Sequence, residues 1–152
     1  MQIVRLAVLE GPNEFSEDAV LSVELQVEPG DDLRRHRMSA FHSLVTATIR
    51  EFRDPDSAHD ASRIMAASWQ RTPEELIALT IAGLHRAAGL DAQARVVSVE
   101  DTHWRILVQP AGSRATRRAV ELAVDSFRDF LAGRSVDLRR GVLAIRRLAA
   151  LR

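Results

Sequence analysis

Residues 72–89, TPEELIALTIAGLHRAAG, and the stretch at 94–110, ARVVSVEDTHWRILVQP, decide the architecture. Thr72 is expected to cap a helix, with Pro73 at the first helical position and Glu75 completing a capping box. Gly89 stands where a left-handed residue ends such a helix. Between these signals Leu76, Ile77, Thr80, Ile81, Leu84 and Ala88 recur at helical spacing and predict one buried stripe. Two strands follow, about Arg95–Glu100 and Trp104–Gln109, joined by Asp101-Thr102-His103.

Working outward, Gln2–Leu9 carries Ile3, Val4, Leu6 and Val8 among polar residues and reads as a half-buried strand. Gly11-Pro12-Asn13 reads as a turn, and Ala19–Val27 as a second strand able to pair with the first. Pro29-Gly30-Asp31-Asp32 closes that strand. The Arg34–Arg37 run is expected to be a solvated loop before a helix over Ser39–Phe52, with Phe41, Leu44, Val45, Ile49 and Phe52 inward. Asp54–Ser62 reads as a polar loop and Arg63–Gln70 as a short helix. Ser113–Leu131 predicts a long helix burying Ala119, Val120, Ala123, Phe127 and Phe130, stopped by Gly133. Val136–Leu151 predicts a last amphipathic helix using Leu138, Val142, Ile145 and Leu148. The order ββα–αββα–α predicts an α+β fold, with helices on one face of a two-layer, largely antiparallel sheet. Residues 1–133 form the expected domain; residues 134–152 form a helix docked on it or serving as a connector.

The 152 residues fit one domain able to bury about two thirds of its unfolded surface. Hydrophobic residues make up 46% and charged residues 28%, proportions that separate the chain from disordered sequences. Formal net charge is zero, so steering toward nucleic acid or membrane is not a property of the whole chain. The absence of cysteine removes disulfides, thiolate metal sites and thiol catalysis. The opening residues form a strand pattern rather than a targeting leader, and no apolar run approaches the roughly 20 residues needed to span a bilayer. A cytoplasmic location is expected. All 21 basic residues are arginines, each a planar fork suited to carboxylates and phosphates.

Three of them, Arg114, Arg117 and Arg118, crowd the start of one predicted helix, where exposed N–H groups already favour anions. Two readings stand. The three forks form a carboxylate or phosphate receptor, flanked by His103 and Trp104; or they are solvated and paired with Glu121 and nearby acids, with Trp104 in the core. Arg134, Arg139, Arg140, Arg146, Arg147 and Arg152 oppose only Asp137 in the last stretch. That helix could meet an anionic surface, but docking to the core, with a solvated arginine face, is the expected use. The histidines, His36, His42, His59, His85 and His103, lack metal-ligand spacing on any one helix and are expected to be surface or hydrogen-bonded. Ser113, Ser126 and Ser135 lack the nucleophile-elbow context. No phosphate-cradling glycine loop is present.

The opening VRLAVLEGPNEFS (residues 4–16), the helix ending Leu84–Gly89, the following hairpin and the arginine-rich GSRATRRAVELAVDSF (residues 112–127) together resemble the N-terminal domain of cyanophycin synthetases. Related Mur-ligase-like proteins carry a similar domain. The resemblance implies a domain that grips a peptide polymer while separate ATP-grasp and Mur-type domains form amide bonds. Some members also carry a His-x-x-Glu-His peptidase site, which needs two imidazoles one turn apart on zinc and a glutamate to activate water. Registered on Leu84–Gly89, those positions fall on Glu75, Ala78 and Leu79, and the further acidic position falls on Gln109, so no such site can be assembled.

The expectation is therefore a non-catalytic anchoring or scaffolding domain without cofactor or metal. It would hold a carboxylate-bearing peptide or polymer for a ligase in cis or in trans. The alternatives are a structural module for homo-oligomerisation or partner docking, and a nucleic-acid-binding sheet. Against the last stand the neutral charge, the absence of tyrosine and a single aromatic, Trp104, in the strands.

Overall fold

A computed structural model describes residues 2–13, 16–28, 35–52, 72–100, 102–109 and 113–151. Its elements are β1 (Gln2–Asn13), β2 (Ser16–Glu28), α1 (Arg35–Phe52), α2 (Pro73–Ala87), β3 (Gln93–Glu100), β4 (His103–Gln109), α3 (Arg114–Leu131) and α4 (Leu138–Ala150). The four strands form one antiparallel sheet in the order β1-β2-β4-β3, and the fold is α+β. The two hairpins join through β2 and β4, which become the inner strands, while β1 and β3 are the edges.

Period-two alternation decides which face is buried. Leu21, Val23, Leu25 and Val27 of β2 and Trp104, Ile106 and Val108 of β4 share one core with the inward residues of all four helices. On the reverse face the registers place Glu24 beside Arg105, which pairs across to Ser98, and Gln26 beside His103, which pairs across to Glu100. Val20, Ser22 and Leu107 of that face are also buried, so one end of it is covered and the other carries polar side chains.

Thr72 accepts a hydrogen bond from the Glu75 backbone N–H at 3.4 Å and starts α2; Gly89 follows its end at φ +79°. α2 is buried on most of its circumference because α1, α3 and β3 all pack against it. Thr80 survives inside the stripe because its hydroxyl donates to the Leu76 carbonyl at 2.7 Å. α3 begins at the Ser113 cap and lies against α2 and β1; α4 packs on α3. Phe41 of α1 meets the rings of Phe127 and Phe130 of α3, each at a centroid separation of 5.3 Å.

The boundaries differ from expectation at two places. β1 does not stop at Leu9: the ladder runs to Asn13, opposite Ser16, with an irregularity between Gly11 and Asn13 that Gly11 absorbs at φ +148°. The Gly-Pro-Asn signal therefore marks the hairpin end of a long strand. Arg35, His36 and Arg37 are helical, because α1 starts a turn earlier than its apolar periodicity shows. The readings of Pro29–Asp32, Asp54–Ser62 and Arg63–Gln70 lie outside the described residues.

Candidate functional site

The arginines at the start of α3 do not converge. Arg117 Nη2 donates to the Val8 carbonyl of β1 at 3.0 Å, tying helix to sheet. Arg118 Nη1 donates to Glu121 Oε2 at 3.0 Å, an exposed pair one turn along the same helix. Arg114 is exposed and has no ion-pair or hydrogen-bond partner among the described residues. One free fork stands where the receptor reading needs three, and the Arg118–Glu121 pair is that of the alternative reading.

His103 and Trp104 lie elsewhere. β4 opens at His103 and closes at Gln109, and α3 begins beyond the Gln109 end. At about 3.4 Å per residue the strand separates His103 from that end by roughly 20 Å. His103 also belongs to the reverse face, whereas Trp104 is 6% exposed and belongs to the helix-side core. The sheet's reverse face thus has no aromatic stacking platform among the described residues. A shallow depression of 460 Å³ does occur there, lined by Glu24, Ser98, Glu100, His103, Trp104 and Arg105. The Glu24–Arg105 ion pair at 3.5 Å spans it, so its principal opposite charges already face each other.

A second cavity, of 310 Å³, opens between α2 and the edge strand β3. Glu75, Ala78 and Leu79 line it from the helix, and Ala94, Arg95 and Val96 from the strand. The wall is local in origin. Residues 75, 78 and 79 share one side of α2 by their three- and four-residue spacing, and the helix packs along β3. The positions onto which the family resemblance maps a metal site are the same three helical residues. Here they offer one carboxylate and two apolar side chains, and Gln109 stands in register with Gln93 nearby. Among the described residues, no three His, Cys, Asp or Glu side chains are grouped to hold a metal.

Two facts give this cavity its chemistry. β3 is bounded by β4 on one side only, so its outer backbone groups have no strand partner among the described residues. Arg95 borders the cavity at the strand edge; its register partner Leu107 places its exposed side chain on the reverse face of the sheet, with no ion-pair partner among the described residues. An open strand edge beside a helix is the arrangement into which extended peptides insert as an added strand. The irregularity between Val96 and Ser98 divides the β3 ladder, with regular pairing over Gln93–Val96 beside the cavity and again over Ser98–Glu100. Arg95 was not singled out from sequence, since nothing local marks β3 as an edge.

Behind this wall lies His85. Its side chain is fully buried, and Nδ1 lies 2.7 Å from the Ile81 carbonyl. A carbonyl only accepts, so Nδ1 carries the proton in the neutral ring. Nε2 has no hydrogen-bond partner among the described residues. Burial holds the imidazole below its ordinary value of 6.5; the backbone groups of Ile81 and Thr116 act against that shift without reversing it.

α4 is anchored by charge as well as by Leu138, Val142 and Ile145. Arg146 Nε donates to the Ala87 carbonyl at 2.9 Å and Nη2 to the Phe52 carbonyl at 3.0 Å. Arg139 pairs with Glu51 at 2.7 Å. Compared with known proteins, the chain matches no family model, no curated protein and no solved structure.

Proposed function

We propose that this chain is a non-catalytic anchoring module that holds an extended, carboxylate-bearing peptide along β3, in the groove beside α2. The observation that carries the reading is the 310 Å³ cavity at an edge strand, with Ala94 and Val96 of β3 on one wall and Leu79 and Ala78 of α2 on the other. Main-chain pairing with Gln93–Val96 would supply sequence-independent affinity. A peptide added as a strand would turn alternate side chains to the two faces of the sheet, where the Arg95 fork on the reverse face would favour a carboxylate and Leu79 on the helix side an apolar neighbour. The groove's helical wall lacks an assembled nucleophile, acid–base pair or metal set, so chemistry on the held peptide belongs to a partner. The family resemblance suggests an ATP-grasp or Mur-type ligase for that role.

Calorimetry with an acetylated, amidated hexapeptide of alternating Asp and Val tests the reading. Binding to the full chain is expected, weakened about three- to tenfold in Arg95→Ala, as befits loss of one partly exposed charge-assisted contact. Leu79→Arg should block the groove, with an unchanged circular dichroism spectrum in both variants. No heat with the wild type, or equal affinities in all three proteins, would reject the groove.

A second reading, edge-to-edge self-association, is favoured by β1. This strand is the other edge, and Val4 and Leu9 are 50% and 55% exposed. Light scattering separates the two readings: a peptide-indifferent oligomer that Leu9→Lys dissociates would support self-association.

A further inference from the structure

We propose that His85 makes the peptide groove acid-sensitive, by admitting a second ring proton into the packed seam between α2 and α3. The inference rests on the groove reading for its functional consequence but not for the conformational step. α2 carries the groove residue Ala78 and, two turns further along the helix, the buried His85, so any displacement of this helix changes both. The ring's Nδ1 proton is already committed to Ile81, Nε2 has no hydrogen-bond partner among the described residues, and the Thr116 backbone is the polar group of α3 beside the ring. A proton arriving at Nε2 therefore places a full charge in an apolar seam without a counter-ion. The seam must open or admit water to solvate it.

The surroundings leave few other groups to answer a pH change. On α3, the buried residues nearest the helix start are Ala115, Thr116 and Ala119; β3 and β4 contribute Val96, Ile106 and Val108 to the same core. None of them is ionisable. His42 of α1 is the other buried ionisable residue among the described ones; Arg146 of α4 reaches the α2 terminus at Ala87, Glu75 lies at the opposite end of α2, and Arg50, Glu51, Arg86, Arg117 and Arg118 are exposed. Arginine stays charged throughout, so His42 is the control residue.

The experiment uses the full chain, the Asp–Val hexapeptide, and the variants His85→Gln and His42→Gln, at pH 7.5 and 5.5. Glutamine keeps an N–H donor for Ile81 and cannot titrate. Peptide affinity of the wild type and of His42→Gln is expected to fall at least fivefold at pH 5.5, and that of His85→Gln by less than twofold. Amide hydrogen exchange, corrected for intrinsic rates, should show α2 deprotected at pH 5.5 in the wild type and in His42→Gln, and protected in His85→Gln. Equal acid weakening in wild type and His85→Gln, or unchanged α2 protection in the wild type, overturns the proposal. Should no peptide bind at pH 7.5, the groove reading falls. Exchange then decides the seam: wild-type loosening absent from His85→Gln supports it, and identical protection overturns it.

Discussion

Arg146 lies across the end of α1, donating to the Phe52 carbonyl at 3.0 Å while its guanidinium carbon sits 4.8 Å from the centre of the same residue's ring. The other edge of the fork holds Ala87, the last residue of α2, at 2.9 Å. One side chain of α4 thereby satisfies carbonyls at two helix ends, where unpaired C=O groups and the dipole favour a cation.

Arg146→Ala should destabilise the domain by about 1–3 kcal/mol, the range for losing hydrogen bonds to a charged group. Arg146→Lys should recover less than half of that, since an ammonium cannot present a planar fork to both carbonyls. Urea unfolding at pH 7.5 measures both, and wild-type midpoints in the alanine variant would contradict the clamp.

His85 sets a pH dependence of stability whose sign follows from burial. Its folded-state value is lowered from 6.5, so between the folded and unfolded values the unfolded chain binds more protons. Its stabilising contribution is full above about pH 6.5 and is lost as pH falls toward the lowered folded value, at up to about 1.4 kcal/mol per pH unit. His85→Gln should flatten the denaturant midpoint between pH 7 and 5. A variant slope as steep as the wild type's would assign the titration elsewhere.

Gly141 lets α4 approach α3. A Cβ built there would stand 2.5 Å, 2.6 Å and 3.1 Å from Leu122 Cδ1, Cδ2 and Cγ, so the whole end of that side chain would have to move. A mid-helix Gly→Ala change normally stabilises by about 1 kcal/mol, whereas forced overpacking costs about 1–3 kcal/mol. Gly141→Ala should therefore come out destabilising by roughly 1 kcal/mol. The same change in a Leu122→Ala background should be stabilising, and a thermal-melt double-mutant cycle reads the reversal.

Phe41 is 1% exposed and touches both Phe127 and Phe130, joining α1 to α3. Phe41→Ala should cost about 3–5 kcal/mol through the cavity it leaves. A cycle with Phe127→Leu should return a coupling of about 0.5–1.5 kcal/mol, the edge-to-face share.

The elements themselves were legible along the chain. Thr72, Pro73 and Gly89 bound α2, and Ser113 and Gly133 bound α3, because caps and left-handed turns are local chemistry acting within a few residues. The inward residues of all four helices were legible too, since burial follows a 3.6-residue period whatever the partner. Local signals failed where a longer ladder overrode them: Gly11 interrupts an isolated strand, yet β1 continues to Asn13 because β2 pairs with it throughout.

The sequence by itself determined α+β content, the capped ends of α2 and α3 and the apolar stripes, because each depends on neighbours in the chain. Tertiary structure alone decided that β2 pairs with β4, leaving β3 an edge with Arg95 beside a helical wall. It also sent Arg117 to Val8, and placed His103 at the end of β4 away from the start of α3, whereas the Arg118–Glu121 pair is local to one helix. Strand order and side-chain partnership join residues as far apart as 109 positions. They come from burying shared apolar faces, and no local propensity encodes which faces meet.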